Sequence, residues 1–184
     1  AGPGRSGAQA LLDVAPYRNA DALVHVVRAF RDPSVTHHTD VINPAADAQA
    51  MEDELLLADL AVTEKRLDRI DRDLKKGRTT DLERERALII RCKEALEQGL
   101  PLRGLDLTGD DRKRLRGFQF LSQKPMLCVL NLGEEDAARL HEVEEKYRQG
   151  AFAGRKGTAV TAICGKIEAE LAEVSSEEAR EYMA

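Results

Sequence analysis

Lys124-Pro125-Met126-Leu127-Cys128-Val129-Leu130-Asn131-Leu132-Gly133-Glu134 is the stretch on which the fold turns. Residues 126–130 form an unbroken apolar run closed by Pro125 on one side and by a polar Asn-Leu-Gly-Glu turn on the other. A strand buried on both faces reads this way, whereas a strand with one wet face alternates. In open parallel sheets, ligands are read at the carboxyl ends of such strands. Residues 131–134 therefore stand where a ligand would be recognised.

Working outward, two more strand-length apolar runs flank this one. Residues 21–30 and 158–164 are rich in Val, Ala, Ile and Thr. Between the first run and residue 124 the period becomes helical. Met51, Leu55, Ala58, Val62, Leu67, Ile70 and Leu74 recur every three to five residues, with Leu56 and Leu57 widening the stripe near its start. This predicts a helix of roughly 28 residues, about 42 Å long, ended by Lys75-Lys76-Gly77-Arg78. Thr80-Asp81-Leu82-Glu83 reads as a capping box that restarts a helix carrying Leu82, Ile89, Cys92 and Leu96, and Gly99 with Pro101 ends it. Two helices joined by a short turn make an antiparallel, coiled-coil-like hairpin. Thr108-Gly109-Asp110-Asp111 is a further N-terminal cap, followed by Leu115, Phe118 and Leu121 on one face. Helices are expected over 134–148 and 166–174, with a short one near 9–15 and a last one from Ser175.

Strand, inserted helices, strand, helix, strand, helix is the order of a parallel α/β sheet covered by helices. Three strands are few for a whole doubly wound domain, so the expected architecture is an incomplete parallel sheet with an inserted α-helical hairpin. Residues 1–46 and 102–184 are assigned to the sheet domain and 47–101 to the insertion.

Composition narrows the function classes. The chain has 184 residues, 33% of them charged and 4% aromatic, with a formal net charge of −5. That balance gives no general footprint for nucleic acid, and no DNA partner is expected. Runs such as Arg112-Lys113-Arg114 and the mixed charges over 64–73 read first as solvated helix faces, with a partner-binding surface as the alternative. Cys92, Cys128 and Cys164 lie far apart with no Cys-x-x-Cys pair, so neither a disulfide framework nor a metal centre is indicated, and a reducing cytoplasm fits. No apolar run approaches membrane-spanning length. His25 inside its strand reads as a hydrogen-bonded structural residue, and His37-His38 as loop. Gly165-Lys166 superficially matches the end of a Walker phosphate loop. The first glycine of that pattern would fall on Val160, and Ile167 replaces the Mg²⁺-binding hydroxyl, so it is not one.

Several segments together resemble a known family. They are residues 21–30, Glu54-Leu55-Leu56-Leu57-Ala58-Asp59-Leu60 with Glu64-Lys65-Arg66-Leu67, Lys124-Pro125, Asn131-Leu132-Gly133-Glu134, and Lys166-Ile167-Glu168-Ala169-Glu170-Leu171. In this order, with the hairpin between the strands, they resemble the YchF family of Obg-like ATPases within the P-loop GTPase-like superfamily, from about residue 20 onward. The resemblance implies a P-loop NTPase-like sheet and a cytoplasmic protein whose ligands are ATP and Mg²⁺, the Walker loop and Mg²⁺ ligands lying upstream. It implies ATP hydrolysis by an intact parent rather than by this segment, and the ribosome or translation machinery as partner. Ala1-Gly2 is similar to the end of that family's switch motif, but Pro3 and Gly4-Arg5-Ser6-Gly7 depart from it.

The resemblance also implies a base site at Asn131, Leu132, Glu134, Cys164, Gly165 and Lys166. Guanine-specific relatives use Asn-Lys-x-Asp, whose Asp accepts from the guanine N1–H and N2 amine. Adenine lacks the amine, and its N1 is itself an acceptor. Here Leu132 replaces the Lys and Glu134 the Asp, which implies adenine. The Leu132 backbone would meet the base edge, Asn131 would tie the loop, and the 164–166 turn would close the far side. Without the resemblance, Asn131 is a turn former and Glu134 an acid favoured at a helix start. No residue is assigned a catalytic role. The competing reading is a non-enzymatic interaction module working through the hairpin.

Overall fold

The three apolar runs pair as one parallel sheet in a computed structural model that describes residues 13–35 and 41–173. In chain order the elements are β1 (Leu23–Ala29), α1 (Pro44–Lys76), α2 (Thr80–Glu97), α3 (Gly109–Leu115), β2 (Met126–Leu132), α4 (Leu140–Gln149), β3 (Thr158–Ile163) and α5 (Gly165–Glu173). The sheet order is β1-β2-β3. Register runs from Leu23 opposite Met126 to Ala29 opposite Leu132, and from Met126 opposite Thr158 to Asn131 opposite Ile163. All three strands therefore end at one edge. The first residues, His37-His38 and the helix expected from Ser175 lie outside the described residues.

β2 occupies the centre, and five of its seven residues are buried, as an unbroken apolar run requires. β1 is different. Val27 is buried, but Val24 and Val26 are 65% and 59% exposed, so β1 is covered on one face only among the described residues. His25 consequently sits in a half-buried strand, not a buried one.

Contacts divide the chain into two compact units, Ala1–Asp21 with Met51–Lys124, and Ala22–Ala50 with Pro125–Ala184. The sheet unit packs Val27, Cys128, Leu130, Leu132, Phe152 and Val160 into a core, closed by Leu140, Val143 and Tyr147 of α4. The hairpin unit has its own core of Leu56, Ile70, Leu88, Ile89, Cys92, Leu96, Leu115 and Phe120. In the hairpin core, the α1 and α2 residues come from the apolar faces of helices with a period of about 3.6 residues.

Four local expectations need correction. α1 is 33 residues long because it starts at Pro44, a residue suited to a helix's first turn. The α2 cap is Thr79, not Thr80. Its extended backbone lets its hydroxyl accept from Leu82 N, and with Leu at that position no carboxylate returns the bond, so there is a cap but no capping box. Leu57 is 55% exposed, one position off the buried face that Leu55 and Leu56 share. The helix expected over 134–148 opens as a 3-10 segment, Glu134–Arg139, because Gly133 offers no side-chain cap and its carbonyl takes Asp136 N. Thr108 and Asp111, by contrast, form a complete capping box on α3.

Candidate functional site

At the carboxyl edge of the sheet, the polar side chain that ends β2 reaches across to the start of α5. Asn131 Oδ1 accepts a hydrogen bond from Gly165 N at 2.9 Å. A Cβ at position 165 would stand 2.9 Å from that oxygen, so the close approach demands glycine. One residue on, Lys166 Nζ donates to Glu134 Oε2 at 2.5 Å, and this bond raises the Lys166 pKa. A hollow of about 340 Å³ opens beside these groups, within the size range of small-ligand sites. Asn131, Leu132, Gly133, Glu134, Glu135 and Lys166 line one side, and Phe30, Arg31, Asp32 and Val35 the other.

Five of the six residues singled out from the sequence thus come together. The Leu132 side chain belongs to the core, so its main chain is what it can offer the hollow. Gly165 joins through its bond to Asn131. Cys164, at 2% exposed, is buried behind the turn and does not line the hollow.

The second wall rests on a residue that sequence reasoning passed over. Arg28 pairs in register with Asn131, and its guanidinium donates to the carbonyls of Phe30 (3.1 Å), Asp32 (2.9 Å) and Val35 (2.8 Å). It also lies 4.7 Å from the Phe30 ring centroid, a cation–π distance. Five donors in a rigid fork can satisfy several carbonyls of one turn. The loop is pinned a second time where Asp32 accepts from Ser34 N and Oγ at 2.8 and 2.6 Å. Those bonds, with the Arg28 and Lys166 cations nearby, hold the Asp32 carboxyl below its ordinary range. The signal was a lone charge inside a β-branched run, since a partly buried cation must find acceptors.

A further polar network lies in the hairpin unit. Asp59, fully buried, accepts from Leu121 N (2.9 Å), Ser122 N (2.7 Å) and Ser122 Oγ (2.8 Å), with Arg18 3.7 Å away. Burial pushes its carboxyl up, while the three hydrogen bonds and Arg18 pull it back. The Ser122 carbonyl accepts from Arg103 N and its guanidinium, which also pairs with buried Glu52. Lys124 Nζ donates to the carbonyls of Arg18 and Ala20. These bonds lock α1 to the segments around Arg18, Arg103 and Ser122, and supply no open reactive group.

Cys92 and Cys128 are pushed up to about 11 by burial, which keeps both thiols neutral. Among the described residues His25 Nδ1 has no hydrogen-bond partner, and burial lowers the His25 pKa against a raising influence from Asp47. At that nitrogen it departs from the hydrogen-bonded histidine expected from the sequence. Among the described residues no group of three or more His, Cys, Asp or Glu could hold a metal, and no helix is long and apolar enough to cross a membrane.

No family model matches the chain. Individual proteins do. A ribosome-binding ATPase YchF of Bacillus subtilis (strain 168) is 33% identical over 166 residues, which is 90% of this chain and 45% of that protein. The ribosome-binding ATPase YchF of Escherichia coli O157:H7 is 33% identical over 169 residues, again 90% and 45%. Among solved structures, the Schizosaccharomyces pombe YchF GTPase superposes with a TM-score of 0.77 at 25% identity, covering 92% of this chain and 46% of that one. The chain spans less than half the length of these relatives.

Proposed function

Because the chain belongs to the YchF family of Obg-like ATPases, of whose members it spans less than half, we propose that it carries the base-recognising part of a nucleotide-binding domain that prefers ATP to GTP. The observation that carries this reading is the constellation around the hollow, where Asn131 ties the end of β2 to the α5 turn and Lys166 engages Glu134. A carboxylate already bonded to an ammonium is a poor partner for the N1–H and N2 amine of guanine. The main chain of residues 132–134 can instead donate to adenine N1 and accept from its N6 amine.

In this reading residues 1–46 and 102–184 form part of the NTPase-like domain of a cytoplasmic protein, and 47–101 form its inserted hairpin. The phosphates and Mg²⁺ are held by a Walker loop and acidic ligands upstream, and hydrolysis belongs to the intact parent. None of the residues at the hollow is assigned to bond cleavage. Relatives described as ribosome-binding support the ribosome as partner, with the hairpin as the contacting element.

Isothermal titration of the intact parent protein with ATP and with GTP in the presence of Mg²⁺ tests the reading. ATP is expected to bind more tightly. Equal or reversed affinities would remove the base assignment.

A further inference from the structure

A second hollow, of about 330 Å³, opens at the same carboxyl edge of the sheet. All of its lining residues belong to the sheet unit. Its floor is apolar and buried or half-buried. Ala29 and Leu132 end β1 and β2, Val143 and Tyr147 stand one turn apart on α4, and Ile42 precedes α1. Open parallel sheets take ligands beyond the carboxyl ends of their strands, and the volume falls within the range of small-ligand sites. Arg31 and Leu132 also border the hollow beside Asn131, whereas Asn131, Glu134 and Lys166 do not reach this one.

The rim is charged, with Arg31, Arg139 and Lys146 set against Asp136 and Glu142. Asp136 takes Arg139. Glu142 and Lys146 stand four residues apart on α4, in the order that favours a helix ion pair. Yet among the described residues Lys146 is in no ion pair, and neither is Arg31. The other acids of α4 are already engaged, because Arg148 takes Glu144 and Glu145, and Glu144 also accepts from Thr161. Two exposed cations therefore stand unpaired above an apolar floor. The Tyr147 hydroxyl likewise has no hydrogen-bond partner among the described residues.

We propose that this hollow binds a small monocarboxylate with an apolar body, an aryl- or acyl-alkanoate. Arg31 can offer a carboxylate two parallel donors, and Lys146 adds a mobile ammonium. The floor of Leu132, Val143 and Tyr147 takes the ring or chain out of water. Charge sets the class of ligand, since three cations against two acids leave one positive charge. One carboxylate neutralises it. A phosphate ester would bring a second negative charge beside Asp136 and Glu142, where like charges repel. The site is independent of the base reading above, because its unpaired lysine and its floor lie outside the Asn131–Lys166 constellation.

Calorimetry of the intact parent protein with phenylbutyrate, in the absence of nucleotide, tests the proposal. Wild type is expected to bind saturably, with a dissociation constant on the order of 1 mM or below. The uncharged phenylbutanamide and the ringless butyrate should each bind about tenfold more weakly, one through loss of charge and the other through loss of the floor contact. Lys146→Gln keeps helix propensity and removes a charged donor, so it should weaken phenylbutyrate about tenfold, with circular dichroism confirming unchanged helix content. Lys166→Gln, at the hollow beside Asn131, should leave phenylbutyrate binding as it is. No saturable binding, equal binding of acid and amide by wild type, or a Lys146→Gln variant that binds like wild type overturns the proposal. Binding lost with Lys166→Gln but kept with Lys146→Gln puts the acid in the other hollow and overturns it too. A parent that prefers ATP but does not bind phenylbutyrate removes this site and leaves the base reading standing. Phenylbutyrate binding that depends on Lys146, in a parent without ATP preference, supports the site and removes the base reading.

Discussion

Replacing Asp59 by Asn changes one atom in a buried site and should unsettle the packing between α1 and the segment before β2. The carboxylate accepts three hydrogen bonds, one on Oδ1 from Leu121 N and two on Oδ2 from Ser122. An amide has one oxygen, so at best it keeps the two Ser122 bonds and turns its NH₂ toward Leu121 N, a donor 2.9 Å away. One buried N–H is then left facing another donor, at a cost of about 1–3 kcal/mol. Removing a buried charge returns some desolvation energy, which leaves a net loss of about 2 kcal/mol. With a urea m-value of about 2 kcal/mol/M, the unfolding midpoint should fall by about 1 M at unchanged m. Asp59→Ala, which strands both N–H groups, should fall further. Because burial holds the Asp59 pKa above its unfolded value, its contribution is fullest below about pH 4 and declines as pH rises through the folded pKa. The gap between wild type and the Asn variant should therefore narrow from pH 4 toward neutrality. An Asn variant as stable as wild type at pH 5 would refute this account of the network.

Two other perturbations probe the sheet unit and the thiols. Arg28→Met keeps the stem but removes the donors to three carbonyls, so amides over 30–35 should exchange at least about tenfold faster, one hydrogen bond's worth. Unchanged protection there would contradict Arg28 as the anchor of that wall. Cys92 and Cys128, both pushed up to about 11 by burial, should resist iodoacetamide at pH 8 until the chain unfolds. Mass spectrometry finding either alkylated at the rate of a free thiol would contradict their burial.

Much of the fold was legible because its signals are local. The run at 126–130 carries its own boundaries, and the 3.6-residue spacing of α1 and α2 needs only a dozen neighbouring residues to appear. What failed was also local but finer. Thr79 and Thr80 are equally good caps on paper, and only the extended backbone of Thr79 decides between them. The polar networks were not legible, since Asp59 meets partners 62 and 63 residues away and two of its three bonds come from main-chain N–H groups that any residue possesses. Arg28 likewise binds carbonyls, which leave no mark in sequence. At the hollow, Asn131 and Gly165 stand 34 residues apart. Their meeting was expected through family resemblance, because no spacing rule joins the end of one strand to the turn after the next. The six-residue list included Cys164, which the turn buries, and omitted Arg28, Phe30 and Asp32, which build the opposite wall.

The most direct test of base reading at residues 131–134 is a nucleotide preference that can be moved. Calorimetric dissociation constants for ATP and GTP should be measured on the intact parent, as wild type and as the double variant Leu132→Lys, Glu134→Asp, which restores an Asn-Lys-x-Asp loop. The account predicts that wild type favours ATP and that the variant shifts the ATP-to-GTP affinity ratio toward GTP by on the order of tenfold, the equivalent of one hydrogen bond. A wild-type protein that favours GTP, or a ratio that the exchange leaves untouched, would contradict it.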